Sequence, residues 1–353
     1  MNRSNLESMN LTSGQILFAI FFAILPSSLK VGVLRSKGAK VGRNVTIGFG
    51  TVILAPDYSK VKIGMFTRIS YFTIIACSAI SIGRYVRISM FTWIWGAGRL
   101  VLKDKSQIAA RVRIDLRNND FYMGVASGVA TGVIIYTHTQ AFPYTQGWIH
   151  RRKDVVLEDY VMIGLGSLLL PGVRVGDHTY IGAGSVVVKD IPQNSFAAGN
   201  PARVISSVDR FREKVDEKEF RRRVEEIALD MLDYFGFPRY SKKRTGDIFS
   251  LEFGVPRTFS TERWTLVVAA GNALMSSGHM DRLDGDRTVL FSTTDVPADV
   301  RARIHLWFDL RDHRCGDLPT EFSVEVWNYL YETWQEMCDL DGPGLEPSGR
   351  ARP

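Results

Sequence analysis

The sequence predicts a mainly β chain: a parallel β-helix of six-residue repeats, then a C-terminal helix and a small α/β extension. Three observations predict it. Aliphatic residues recur every six positions from Leu157 through Ile163, Leu169, Val175, Ile181 and Val187. The same register returns upstream in runs of three. Glycine follows several of these positions (Gly164, Gly176, Gly182), where a tight corner needs backbone freedom. A helix repeats at 3.6 residues and a strand at 2, so a period of six fits neither alone. One short strand plus one turn per hexad fits.

The upstream runs are Val41, Ile47, Ile53; Ile63, Ile69, Ile75; Ile82, Ile88, Ile94; Leu102, Ile108, Ile114; and Met123, Val129, Ile135. Three hexads make an 18-residue coil, so seven coils are expected, with short insertions between some of them. Each aliphatic side chain points into a triangular prism and stacks on its counterpart one coil away, and no coil is stable alone. A sandwich of ordinary strands does not predict six consecutive matches at fixed spacing.

With 353 residues, 45% hydrophobic and 23% charged, the chain has the composition of a globular protein with one long domain or two smaller ones. Its net charge of +7 suits an anionic partner such as a phosphate-bearing cofactor or an acidic lipid. Basic residues are dense only at Arg221, Arg222, Arg223 and at Lys242, Lys243, Arg244, without the aromatic platform that nucleic acid binding uses, so no nucleic acid partner is expected. Cys77, Cys315 and Cys338 are far apart and suggest neither a disulfide framework nor a zinc site, which fits a cytoplasmic location.

Residues 1–35 read as an apolar N-terminal helical segment. The run Ile16 to Leu25, closed by Pro26, is short of the roughly 20 residues a span needs. Three readings stay open: a helix packed on the body, an interfacial membrane helix, and a cleaved signal. Contact through residues 15–37 would place the chain at the inner face of the membrane, with Lys30, Arg35 and Lys37 facing anionic lipid. The β-helix domain is expected over 36–208. Residues 209–353 read as a helical linker and accessory α/β region: an amphipathic helix over 209–235, a linker over 236–246, strands at 264–270, 288–291 and 304–310, and a helix over 321–338.

The segment VVLEDYVMIGLGSLLLPGVRVGDHTYIGAGSVVVKDIPQNSFAAGNPARVI, residues 155–205, resembles the C-terminal coils of hexapeptide-repeat acyltransferases, especially sugar O-acetyltransferases. LPGV at 170–173, IGAGSVV at 181–187, KDIP at 189–192 and AGNPARVI at 198–205 carry the resemblance. It implies a left-handed β-helix, acetyl-CoA as acyl donor, and a homotrimer with active sites between subunits. It also implies direct transfer to a sugar or glycan acceptor, in polysaccharide or glycoconjugate biosynthesis.

The hexads break after Ile135 and resume at Leu157, leaving a loop that begins Tyr136, Thr137, His138. A long insertion in a regular solenoid is where binding residues gather. In the resembled enzymes the catalytic histidine lies nineteen residues before the first aliphatic position of the next coil, the separation of His138 from Leu157. Imidazole, with an ordinary pKa near 6.5, suits a general base that deprotonates a hydroxyl as it attacks a thioester. The resemblance assigns acetyl-CoA contacts to Leu165, Ala183, Val188, Lys189 and Arg203. The two cations among them also suit the phosphates of the cofactor. Asp115, Asn119 and His150 are candidate acceptor contacts, and His178, beside Asp177 in a turn, reads as structural.

Other functions remain open on this fold. N-acyltransfer to an amino sugar is one, and a non-catalytic scaffold or regulatory subunit is another. A metal site of the γ-carbonic anhydrase kind needs three histidines, two of them close together. The repeat region offers only His138, His150 and His178, in no such spacing.

Overall fold

The structure, a computed structural model, describes residues 12–117, 119–139, 144–148, 151–211, 213, 215–234, 240–245, 248–256, 261–269, 288–292, 297, 299–300, 306–309, 314–315 and 339–340. It divides into two units, Met1–Glu213 and Lys214–Pro353.

The first unit is the expected parallel β-solenoid. Three ladders of short strands run along it, each with one aliphatic column. The first column pairs Val41, Ile63, Ile82, Leu102, Met123, Leu157 and Val175 in succession. The second pairs Ile47, Ile69, Ile88, Ile108, Val129, Ile163 and Ile181. The third pairs Ile53, Ile75, Ile94, Ile114, Ile135, Leu169 and Val187. All of these residues are buried in one core except Val41, which packs half-buried at its end. The seven coils read from the sequence are all present, and the first two columns continue into a partial further coil through Ile191 and Ala197.

The prism has three edges, named here by the columns they join. The first–second and second–third edges always take six residues, whereas the third–first edge varies. Ten residues separate Ile53 from Ile63, and twenty-two separate Ile135 from Leu157. All insertions thus collect on one edge. At two levels the strands Ile74–Ile82 and Trp93–Leu102 run past that edge unbroken, fusing the first and third ladders into one sheet. Close stacking there fixes Gly98, where a Cβ would lie 1.8 Å from the carbonyl oxygen of Asn119.

Corner carbonyls turned inward need donors, because an unpaired buried polar group is costly. Buried hydroxyls supply them: Thr67 Oγ1 donates to Gly83 O (2.8 Å), Thr92 Oγ1 to Ala109 O (3.1 Å) and Ser167 Oγ to Gly182 O (3.2 Å). The AGNPARVI motif ends the solenoid by turning the chain back. Ser195–Gly199 continues the second ladder, then pairs antiparallel with Ala202–Ser207.

The other end is plugged by two helices, α1 (Ser13–Ile24) and α2 (Ser27–Ser36). Thr12 and Gln15 form a capping box at the start of α1, and Pro26 separates the helices. Phe22 and Leu34 are fully buried against the first coil, closing the apolar column that the solenoid would otherwise leave open. Lys30 is also fully buried, its ammonium donating to Gly48 O (2.5 Å) and Thr51 O (3.3 Å). Arg35 donates to Val41 O and Gly42 O, and Lys37 lies over the Phe18 ring. The expectation that Lys30 faces lipid is corrected: it is a plug residue.

In the second unit, α3 (Glu217–Tyr234) buries Val224, Ile227, Ala228, Met231 and Leu232, with Arg222 paired to Glu219 and Glu226 on its exposed side. Among the described residues, seven strands form one sheet, in chain order. Residues 236–246, expected as a linker, contain the strand Tyr240–Thr245, paired antiparallel with Ile248–Pro256. The basic residues that resemble linker composition, Lys242, Lys243 and Arg244, are consecutive on an edge strand, where charge is favoured. The helix expected over 321–338 lies outside the described residues.

Truncating one core column tests the stacking. Ile135→Ala is expected to lower unfolding free energy by about 2–5 kcal/mol, measured by denaturant titration.

Candidate active site

His138 leaves the solenoid at the third–first edge, on the two-residue strand His138–Thr139. That strand pairs antiparallel with Arg151–Arg152 where the loop returns, His138 opposite Arg152. Lys153 N donates to Thr137 O (3.1 Å), closing the base of the loop. The insertion is therefore a stem with a pinned root, which restricts the histidine.

One coil away on the same edge lies Asp115. It pairs with Tyr136 in parallel register, and Trp95 precedes it in that column. Thr137, buried, donates both its N–H (3.1 Å) and its hydroxyl (3.0 Å) to Asp115 O, which locks the two coils together beside the histidine. The Asp115 side chain is 1% exposed and that of His138 14%. Asp115 Oδ1 lies 3.6 Å from His138 Nδ1, an electrostatic contact longer than a hydrogen bond. His138 Nδ1 is buried without a hydrogen-bond partner. Arg117 holds the same carboxylate, its backbone N–H donating to Oδ1 at 3.3 Å and its guanidinium to Oδ2 at 3.4 Å.

Burial holds the imidazole below its ordinary pKa; Asp115 opposes this, and Arg117 and Arg152 reinforce it. The neutral form is thus favoured, with one nitrogen directed at a carboxylate. That is the state a general base needs.

The other sequence candidates divide. Asn119 donates through its amide to Asp154 Oδ1 (3.2 Å), and Asp120 N donates to the same oxygen (2.8 Å), so Asn119 ties the insertion edge to the loop's return. His150 lies outside the described residues. His178 stacks on Tyr160 at 4.8 Å in a left-handed corner. Leu165 and Ala183 are exposed at the second–third edge, one coil apart, whereas Val188 and Lys189 follow Val187 on the third–first edge, the edge of His138. Arg203 is exposed on the terminal hairpin. Within one chain these five residues fall on different edges and do not form one groove.

Sequence reasoning missed Thr137, Arg117 and Arg152 as parts of the site and placed Asp115 on the acceptor. The usable signal was column position: Asp115 and Tyr136 each follow a third-column isoleucine by one residue. Among the described residues no group of three His, Cys, Asp or Glu side chains could hold a metal ion.

Fold and site define a hexapeptide-repeat solenoid with a histidine–carboxylate pair on its insertion edge. No protein-family model matches the chain. It is 42% identical over 69 residues to a galactoside O-acetyltransferase of Lactococcus lactis, covering 20% of this chain and 30% of that protein. It is 44% identical over 67 residues to a 2,3,4,5-tetrahydropyridine-2,6-dicarboxylate N-acetyltransferase of Clostridium perfringens, covering 19% and 27%. The chain spans about a third of the length of the curated relatives it matches. Among solved structures, an N-acyltransferase from Bacillus cereus in complex with dTDP and 3-hydroxybutyryl-CoA matches 60% of this chain and 99% of that one, at 21% identity and a TM-score of 0.39.

His138 is expected to titrate below the ordinary imidazole range of about 6.5. Asp115→Asn, which removes the opposing charge, should lower that value further, and Arg152→Ala should raise it. Histidine-labelled NMR, with His138→Gln for assignment, reads all three.

Proposed function

We propose that the chain is an acetyltransferase that moves an acetyl group from acetyl-CoA to a sugar hydroxyl, with His138 as general base. The observation that carries this reading is the burial of His138 Nδ1 beside Asp115 at the root of the insertion. With Nδ1 turned to the carboxylate, Nε2 is the nitrogen left for the acceptor hydroxyl. As that oxygen attacks the thioester carbonyl, the proton passes to Nε2, and Asp115 stabilises the imidazolium. The collapsing adduct expels the thiolate of coenzyme A, which regains a proton from the imidazolium. Asp115 acts here through the histidine and does not touch the acceptor. No cysteine of the solenoid serves as an acyl carrier in this scheme: Cys77 is fully buried and burial pushes its thiol pKa up.

The division of the cofactor candidates between two edges supports a homotrimer. In a trimer, Leu165 and Ala183 of one subunit could meet the His138 edge of its neighbour, with Lys189 and Arg203 offered to the phosphates. N-transfer to an amino sugar is the second reading; a relative named for N-acetyl transfer supports N-transfer as a reaction on this fold, not the amino sugar itself. The O-transfer reading follows the motifs of residues 170–205. Synthesis of a polysaccharide or glycoconjugate on the cytoplasmic side is the setting this chemistry fits.

Thiol release from acetyl-CoA with a panel of sugars tests the proposal. Wild type is expected to turn over, and His138→Ala to lose about 10²–10⁴-fold in rate. The pH–rate profile should fall on its acid side as His138 gains a proton, below the ordinary histidine range. Equal release by both proteins with every acceptor overturns the role of His138. An amide product in place of an ester moves the assignment to N-transfer.

A further inference from the structure

Charge is distributed unevenly along this solenoid. Residues 8–103 contain twelve lysines and arginines and a single carboxylate, Asp57, for a net +11. The whole chain carries +7, so all the remaining residues together carry −4. The basic stretch is α1, α2 and the first three coils. Lys30 is consumed in the plug, Arg84 pairs with Asp104 and Arg99 with Asp120, whereas Lys40, Arg43 and Lys62 are exposed. Lys40 and Lys62 stand next to each other in the first ladder.

The same stretch carries an unpartnered apolar surface. Helix α1 is apolar on both sides: Phe18 and Phe22 face the solenoid, while Ile16, Leu17, Ile20, Phe21 and Ile24 are exposed, Leu17 to 68%. A soluble helix apolar all round is ordinarily buried. The surface continues beyond the helix. Ala23 O accepts from Gly50 N, seating the end of α1 at the second–third edge. Ile24, Pro26, Phe49, Arg68 and Tyr71 line one groove of about 670 Å³ there. Phe49 packs on Phe72 at 5.9 Å and Phe72 stacks on Phe91 at 5.6 Å, all three exposed. In the next coils the corresponding corner is Ala110–Arg111 and Thr131–Gly132. The aromatic stripe ends where the basic stretch ends.

We propose that α1 and the aromatic edge of the first three coils dock on an anionic bilayer surface, with the helix lying in the interface plane. The occupant follows from charge as well as apolarity. An anionic leaflet attracts basic segments, and aromatic side chains settle at its headgroup level. A second copy docked through the same face would set one +11 region against another. Helix α1 has 12 residues, and no helix among the described residues is long and apolar enough to cross a membrane, so the contact is interfacial. This surface runs along the second–third edge at the first three coils, whereas Leu165 and Ala183 lie on that edge at the last two full coils; it shares no residue with the His138 site, and the proposal stands whatever the acceptor is.

The test is flotation of the full chain with phosphatidylcholine vesicles, with and without about 30% phosphatidylglycerol. Binding is expected to the anionic vesicles at low salt, weaker at high salt, and weaker still on phosphatidylcholine alone. Two double variants probe separate elements, Leu17→Ser with Ile20→Ser on α1 and Phe72→Ser with Phe91→Ser on the edge. Each is expected to weaken binding at least about tenfold while leaving the unfolding midpoint near wild type. Because they lie on different elements, failure of one to fold leaves the other decisive. Absence of vesicle binding by wild type overturns the proposal, as does binding that both doubles retain. A larger light-scattering mass that the doubles abolish, without vesicle binding, assigns the face to a second copy instead.

Discussion

Stacking of like on like, one coil above the next, is the constraint on which the rest of this solenoid depends. Adjacent parallel strands lie about 4.8 Å apart, so each isoleucine or valine rests on its counterpart and each corner must repeat the corner before it. Two edges obey without exception, with six residues between columns at every level. Extra chain can leave only where the corner need not repeat, and that is the third–first edge. The His138 loop, the fused strands and the corner fixed by Gly98 are all consequences of that concentration.

Parallel stacking also makes the site. Asp115 and His138 are distant in sequence, yet the pairing of Asp115 with Tyr136 puts the carboxylate one coil away from the root of the loop. Thr137 then fastens the two levels together through both of its donors. A buried carboxylate without close compensation would be expensive. Here it is shared between Arg117 and the imidazole, and both contacts are long. The histidine is kept neutral by burial while its orientation is set by charge. These two influences oppose each other on its pKa.

The ends of the solenoid solve the same problem differently. A stack of coils leaves an apolar cross-section open at each end. The C-terminal end folds back as a hairpin, a backbone solution that leaves the basic Arg203 exposed. The N-terminal end uses Phe22, Leu34 and the stem of Lys30, a side-chain solution. That plug leaves one face of α1 uncovered, and it withdraws a cation that composition alone assigns to the surface. Lys30 can be buried because two carbonyls, Gly48 O and Thr51 O, point at its ammonium.

The sequence by itself determined the columns. Period six is a one-dimensional signal, and the parallel ladder converts it directly into three dimensions, so the aliphatic residues read from spacing are the core of the fold, with Val41 half-buried at its end. The position of His138 was legible for the same reason, since a break in a strict repeat marks its own location. Tertiary structure alone decided which residues meet across coils at the insertion edge: Asp115 behind His138, Asn119 on Asp154, Arg152 opposite the histidine. Those contacts depend on where irregular chain returns to the solenoid, and a periodic pattern carries no information about chain that departs from the period. The strand Tyr240–Thr245 and the burial of Lys30 were hidden by a related cause. Composition reports what a residue prefers on average, and pairing partners and converging carbonyls override it at single positions.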